Sequence, residues 1–120
     1  MKIAFTTAGS TMEEAMESRF GRSPRFIIYD TGSHKSEVVD NKVNMHAAQG
    51  AGIQSAMNVI KAGVQAVVTG HCGPKAFNLL KNAGISVFLA EASSVSEALR
   101  LYQSNSLKEQ EEADVAGHWK

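Results

Sequence analysis

Apolar residues fall along this chain in two rhythms. In the first forty positions they form short continuous runs: Ile3-Ala4-Phe5 within Lys2 to Thr7, and Phe26-Ile27-Ile28-Tyr29 within Arg25 to Asp30. Short apolar runs bounded by turn residues predict buried strands. After the turn Thr31-Gly32-Ser33, Lys35 to Asn41 predicts a third, edge-like strand. Residues 10–24 read as a loop with a helical turn, since Thr11 and Glu14 have capping-box spacing. The first three strands have short connections, which predicts antiparallel neighbours.

The rhythm changes after residue 47. Ile53, Ala56, Met57 and Ile60 recur at helical spacing, and Gly63 suits a helix stop. Val64 to Thr69 predicts a short strand. Pro74 suits the first turn of a helix carrying Phe77 and Leu80, which Gly84 ends. Ile85 to Leu89 predicts another strand. Ser94 and Glu97 form a second capping-box pair, opening a helix with Val95, Ala98, Leu99 and Tyr102 on one face. Strands joined by helices are expected to lie parallel. The expected fold is therefore α/β, with a mixed sheet of about five strands, the first three antiparallel and the last two parallel, and about three helices. Residues 1–103 make one domain. Residues 104–120, with Glu109, Glu111, Glu112 and Asp114, read as an acidic flexible tail in which Trp119 is the apolar exception.

Composition narrows the function classes. The chain has 120 residues, which fits one domain, and its 12 basic and 12 acidic residues cancel. A neutral chain carries no global field for nucleic acid or an anionic membrane. Cys72 is the only cysteine, so no internal disulfide forms, and a lone thiol suits a reducing compartment. No secretory signal or membrane-length apolar run is evident, so a cytoplasmic location is expected.

Two loops carry candidate chemistry. Gly70-His71-Cys72-Gly73-Pro74-Lys75 sits between a buried strand and a helix start. Ligands of open α/β sheets gather beyond the carboxyl ends of parallel strands, where the next helix presents free N–H groups. Here the glycines permit close backbone approach, Lys75 adds charge, Cys72 is a soft donor and His71 a donor or ligand. The same residues also suit a plain turn with Cys72 as a small buried hydrophobe. The second loop, Arg19-Phe20-Gly21-Arg22-Ser23-Pro24-Arg25, holds three arginines in seven residues. It reads as an anion trap, or as a solvated loop whose arginines pair with Glu13, Glu14 and Glu17. His46 and Gln49, just before the first long helix, are outer candidates. His34 and His118 have nothing to support a role.

Several chemistries fail. A cysteine phosphatase loop needs an arginine where this chain has Asn78. One Cys and four scattered His do not make a closed zinc site. Gly73-Pro74-Lys75-Ala76 lacks the Gly-Lys-Ser/Thr ending of a nucleotide loop. The first strand lacks the carboxylates of a two-metal nuclease. Without a credible acid, base and nucleophile, binding is expected rather than catalysis.

The order of elements, with Ser18-Arg19-Phe20-Gly21-Arg22-Ser23-Pro24, the helix opening Gly50-Ala51-Gly52-Ile53, and Val68-Thr69-Gly70-His71-Cys72-Gly73-Pro74-Lys75-Ala76-Phe77, resembles the dinitrogenase iron–molybdenum cofactor biosynthesis family. The resemblance covers residues 1 to about 103. It implies a ribonuclease H-like three-layer fold and a non-enzymatic role in binding, carrying or scaffolding an anionic metal–sulfur cluster. For a stand-alone chain of this length it implies a molybdenum–copper sulfide cluster in an anaerobe, with the iron–molybdenum cofactor or a precursor as the alternative. The implied site is Arg19, Arg22, His71, Cys72, Gly73 and Lys75, with His46 and Gln49 further out. Cys72 and His71 are the metal-ligand candidates, although a cluster held by charge needs neither. The partner is the cluster itself. Protein partners, in cluster assembly or in regulatory complexes of the cell-division type, stay unnamed. A regulatory or interaction module with a vestigial site is the competing class, and a small hydrolase on the same fold is a third, which fold alone does not license.

Overall fold

The structure is a computed structural model that describes residues 1–45 and 50–112. His46, Gln49, Asp114, His118 and Trp119 lie outside the described residues. The strands are β1 (Lys2–Thr7), β2 (Arg25–Asp30), β3 (Lys35–Asp40), β4 (Ala66–Thr69), β5 (Ser86–Leu89) and β6 (Lys108–Glu109). The helices are α1 (Lys42–Met45), α2 (Ala51–Lys61), α3 (Pro74–Asn82) and α4 (Val95–Gln103), with a 3₁₀ turn at Phe20–Arg22. The sheet order is β3-β2-β1-β4-β5-β6. β1–β2, β2–β3 and β5–β6 are antiparallel, and β1–β4 and β4–β5 are parallel. This is the mixed α/β sheet that the sequence pattern predicts, with one more strand. The added β6 has two exposed charged residues, too few for any periodicity to announce it. The brief α1 was not expected either.

Strand alternation divides the core into two layers. Ile3 and Phe5 of β1, Ile27 of β2 and Ala66 and Val68 of β4 face α4, where Val95, Ala98 and Leu99 cover them. Ala4, Phe26, Ile28, Val67 and Val87 face the other way, under Ala56 and Val59 of α2 and Ala76, Phe77 and Leu80 of α3. The register explains the agreement: Ala4 pairs with Val67, and Val67 with Val87, so side chains of one face stay in step across three strands. β3 is an edge strand, mostly exposed and bearing Lys35, Glu37 and Asp40, charges that discourage edge-to-edge association.

One helix face differs from its apolar pattern. Met57 is 51% exposed, while Ser55 is buried. The reason is Asn41, which is 1% exposed at the end of β3. Its amide Nδ2 donates to Ser23 O and to Ser55 Oγ, each at 2.9 Å. Its Oδ1 accepts from Asn44 Nδ2 at 2.7 Å and from Asn58 Nδ2 at 3.0 Å. A polar group buried here is tolerated because both ends of its amide are satisfied. The result is a hub that ties the arginine loop, through Ser23, to α1 and α2. Asn41→Ala would leave the Ser23 carbonyl and Ser55 hydroxyl buried without this partner. Urea unfolding should show a loss of roughly 1–3 kcal/mol, the usual cost of such groups.

Candidate functional site

The two loops singled out in the sequence are joined by backbone. β1 and β4 run parallel side by side, and near their carboxyl ends Thr6 Oγ1 donates to Thr69 Oγ1 at 3.1 Å in the buried interior. The chain then leaves β1, loops through residues 8–18, and returns beside the end of β4. There Arg19 bridges His71 in parallel fashion, and Phe20 N–H donates to His71 O at 3.0 Å. Gly70 makes this approach possible: a Cβ there would sit 2.8 Å from Ser18 O. Phe20 anchors the arginine loop below, buried with its ring centroid 5.4 Å from that of Phe26. Gly21 presses the same loop onto α2, where a Cβ would lie 3.0 Å from Gly52 N and Cα.

Two helix N-termini open onto this junction. α2 is preceded by Gly50 at φ 75°, a left-handed conformation that suits glycine, and α3 by Gly73. Neither has a side-chain cap, and neither has an acidic residue in its first turn. α4 shows the contrast. Ser94 Oγ accepts from Glu97 N–H at 3.1 Å, as the capping-box spacing predicts, while the Glu97 carboxylate reaches Ser93 N–H at 2.8 Å. The glycines let α2 and α3 come close, since a Cβ on Gly52 would meet Ala76 Cβ at 3.3 Å. Two positive helix ends therefore face one space, and among the described residues neither end has a side-chain cap.

That space is an open cleft of about 350 Å³. Arg19, Arg22, His71 and Lys75 line it, beside the apolar Phe20 and Ile53, and no carboxylate lines it among the described residues. The Glu13 carboxylate accepts from Ser96 Oγ at 3.4 Å, away from the cleft lining. Arg25, the third basic residue of the loop, donates to Ala8 O and takes a structural part. Gly73 lines the cleft with nothing within 4 Å of where its Cβ would be. Its φ of −68° is open to any residue, so the backbone does not require glycine there.

Of the expected site residues, Arg19, Arg22, His71, Gly73 and Lys75 come together in the cleft. Cys72 sits behind the loop in the core with Phe20, Phe26, Val67 and Phe77, 1% exposed. Burial pushes its thiol up from an ordinary 9.0 to about 12, so it stays protonated at neutral pH. Among the described residues no three His, Cys, Asp or Glu side chains gather to hold a metal ion. Sequence reasoning placed Gly50 to Ile53 at a helix start but did not see that they form the opposite wall, because nothing local shows that two helix ends meet. Nor did it single out Asn41, whose partners are spread from residue 23 to residue 58.

No helix among the described residues is long and apolar enough to cross a membrane. A sequence profile described as dinitrogenase iron-molybdenum cofactor matches residues 1–105. An uncharacterised protein of Methanocaldococcus jannaschii is 29% identical over 110 residues, 90% of each chain. The apo form of the orange protein from Desulfovibrio gigas superposes with a TM-score of 0.90 and 31% identity, covering 95% of this chain and 96% of that one. A proposed NifB protein from Thermotoga gives 0.85 and 31%, covering 97% and 98%. The resemblance seen in the arginine and glycine loops thus extends to nearly the whole chain, and the protein belongs to the dinitrogenase iron-molybdenum cofactor family.

Proposed function

We propose that this protein binds and carries an anionic metal–sulfur cluster without catalysing a reaction on it. The cargo is a molybdenum–copper sulfide cluster, with the iron–molybdenum cofactor or a precursor as the alternative. The observation that carries the reading is the convergence of two uncapped helix N-termini with Arg19, Arg22 and Lys75 on one cleft. Such a site attracts a compact polyanion. Sulfide-rich anions are bulky and weakly hydrated, so the apolar wall of Phe20 and Ile53 suits them as well as the cations do. Kinship with the orange protein and the cofactor family supports the same ligand class.

Within this reading charge and shape hold the cargo. The arginines and Lys75 neutralise it, backbone N–H groups of α2 and α3 donate to its sulfides, and exposed His71 is the side chain of the former ligand pair that reaches it. Cys72 packs behind the loop. Thiolate ligation there requires ionising a thiol that burial holds protonated, and then exposing it.

Apo-protein mixed with tetrathiomolybdate and copper should yield a visible chromophore that survives desalting. Arg19→Ala combined with Arg22→Ala should cut retention roughly tenfold or more, since charge-assisted bonds are among the stronger ones. An uncoloured protein, or an unaffected double variant, refutes the reading. Gly73→Ala should fold normally, with stability unchanged or raised by about 0.4–1 kcal/mol. It should nonetheless load poorly, because the new methyl enters open cleft space.

Cys72→Ala should load like the parent. The thiol should also leave a mark on stability. Its folded pKa lies above the unfolded one, so its contribution is complete below pH 9 and is lost as pH rises toward 12. Urea titrations should show the parent losing roughly 1.4 kcal/mol per pH unit more than Cys72→Ala over that window. Parallel slopes would show that the thiol is not held protonated.

A further inference from the structure

Gln110 lies beyond residue 105, where the family match ends. Its backbone N–H donates to Val87 O at 2.8 Å, which continues the pairing of β6 with β5. Its side chain turns to the cleft loop, with Nε2 donating to Cys72 O at 3.3 Å and to Glu112 O at 3.1 Å. The Cys72 carbonyl and the Gly73 N–H belong to one peptide unit. In a trans peptide these two groups point in opposite directions, and the chain has no cis peptide. A carbonyl held toward Gln110 therefore turns the Gly73 N–H away from it, and Gly73 lines the cleft. That N–H finds no acceptor among the described residues.

The peptide needs an anchor. Gly73 has no side chain and nothing within 4 Å of its Cβ position, so no side-chain packing at Gly73 itself helps to fix this unit. The anchor itself belongs to a strap at the sheet edge, residues 107–112, whose Leu107 packs against the core. β6 contributes two residues, and Lys81 Nζ donates to Glu111 O at 3.1 Å. A cavity of about 460 Å³ lies between the strap, α3 and β5.

We infer that Gln110 is a positioning residue for the cargo cleft: by holding the Cys72–Gly73 peptide it aims the Gly73 N–H as an anion donor, and so couples docking of the strap to retention of the cargo. The inference rests on the cluster-binding reading. Coupling of this kind is reciprocal, so cargo that tightens the loop also tightens the strap.

The test uses the full chain, ¹⁵N-labelled, as parent and as Gln110→Ala, empty and after loading with tetrathiomolybdate and copper. In the empty variant the Gly73 amide resonance should shift, with the thermal midpoint little changed. The loaded variant should release its chromophore about two- to tenfold faster, the range expected for one neutral hydrogen bond. In the parent, hydrogen exchange at the Gln110 amide should slow on loading. Release within twofold of the parent, or an unmoved Gly73 amide, overturns the inference. A parent that takes up no chromophore counts against the cluster reading instead, and the Gly73 amide of the empty protein then decides the role of Gln110 alone.

Discussion

Positive charge gathered on one cleft, with no carboxylate among the described residues that line it, is the constraint on which this structure turns. Two helix N-termini, each equivalent to roughly half an elementary charge, open onto the same cleft as Arg19, Arg22 and Lys75. Left to themselves these groups repel. The fold holds them in place from below, through a central parallel pair of buried strands, the Arg19–His71 bridge, the buried Phe20 and the Asn41 hub. The strand pair and the Asn41 hub lie away from the cleft, whereas Arg19, Phe20 and His71 both support the loop and line the cleft. The scaffold is thus built from apolar packing and satisfied buried hydrogen bonds, while the two helix ends at the cleft carry no side-chain cap. An anion that enters relieves the repulsion, and what it gains in binding it also adds to folding stability by mass action.

Much of this was legible in the sequence, because strands β1, β2, β4 and β5 are written as short apolar runs and α3 and α4 as periodic ones. The Ser94–Glu97 cap is local and was readable for the same reason. What escaped notice depends on contacts between distant residues. Ser55 is a polar residue in a core position only because Asn41 meets it there, so the face of α2 rotated away from Met57. The second wall of the cleft, Gly50 to Ile53, becomes a wall only when Gly21 and Ala76 pack against Gly52. β6 carries no pattern, and only its pairing with β5 makes it a strand. For the site, the basic and glycine loops were visible as candidates, whereas the choice between solvated arginines and arginines facing a cleft required the fold.

Cys72 shows how the two levels interact. In the sequence it is a thiol in a glycine loop and draws a metal-ligand reading. In the structure the loop has an outer side and an inner side. His71 is exposed on the cleft, and the next residue is buried in the core cluster that holds Phe77 and Val67. Neighbours in extended backbone face opposite ways. A loop that offers its histidine to the cleft therefore hides its cysteine. The apolar surroundings that make it a good packing residue are the same ones that raise its pKa.

A carrier has to release what it holds, and the way a cluster is held sets how release can occur. Thiolate coordination ties release to ligand exchange at the metal, which depends on an incoming donor and on protonation. A cleft of cations and backbone N–H groups releases its cargo when its geometry loosens or when another polyanion competes for it. Small displacements matter in such a site, because N–H groups act over short range and only when aimed. The backbone that aims them here rests partly on glycine, which by itself holds no orientation. Orientation must then come from contacts behind the loop: Phe20 beneath the arginines, Gly70 against Ser18, and the Gln110 amide on the Cys72 carbonyl. Of these three the first is built into the buried core, the second is a backbone contact between half-buried Gly70 and exposed Ser18, and the third belongs to a segment held at the sheet edge. Any control over cargo that this fold exerts is therefore expected to enter from the strap side of the loop, through the support supplied by the edge of the sheet.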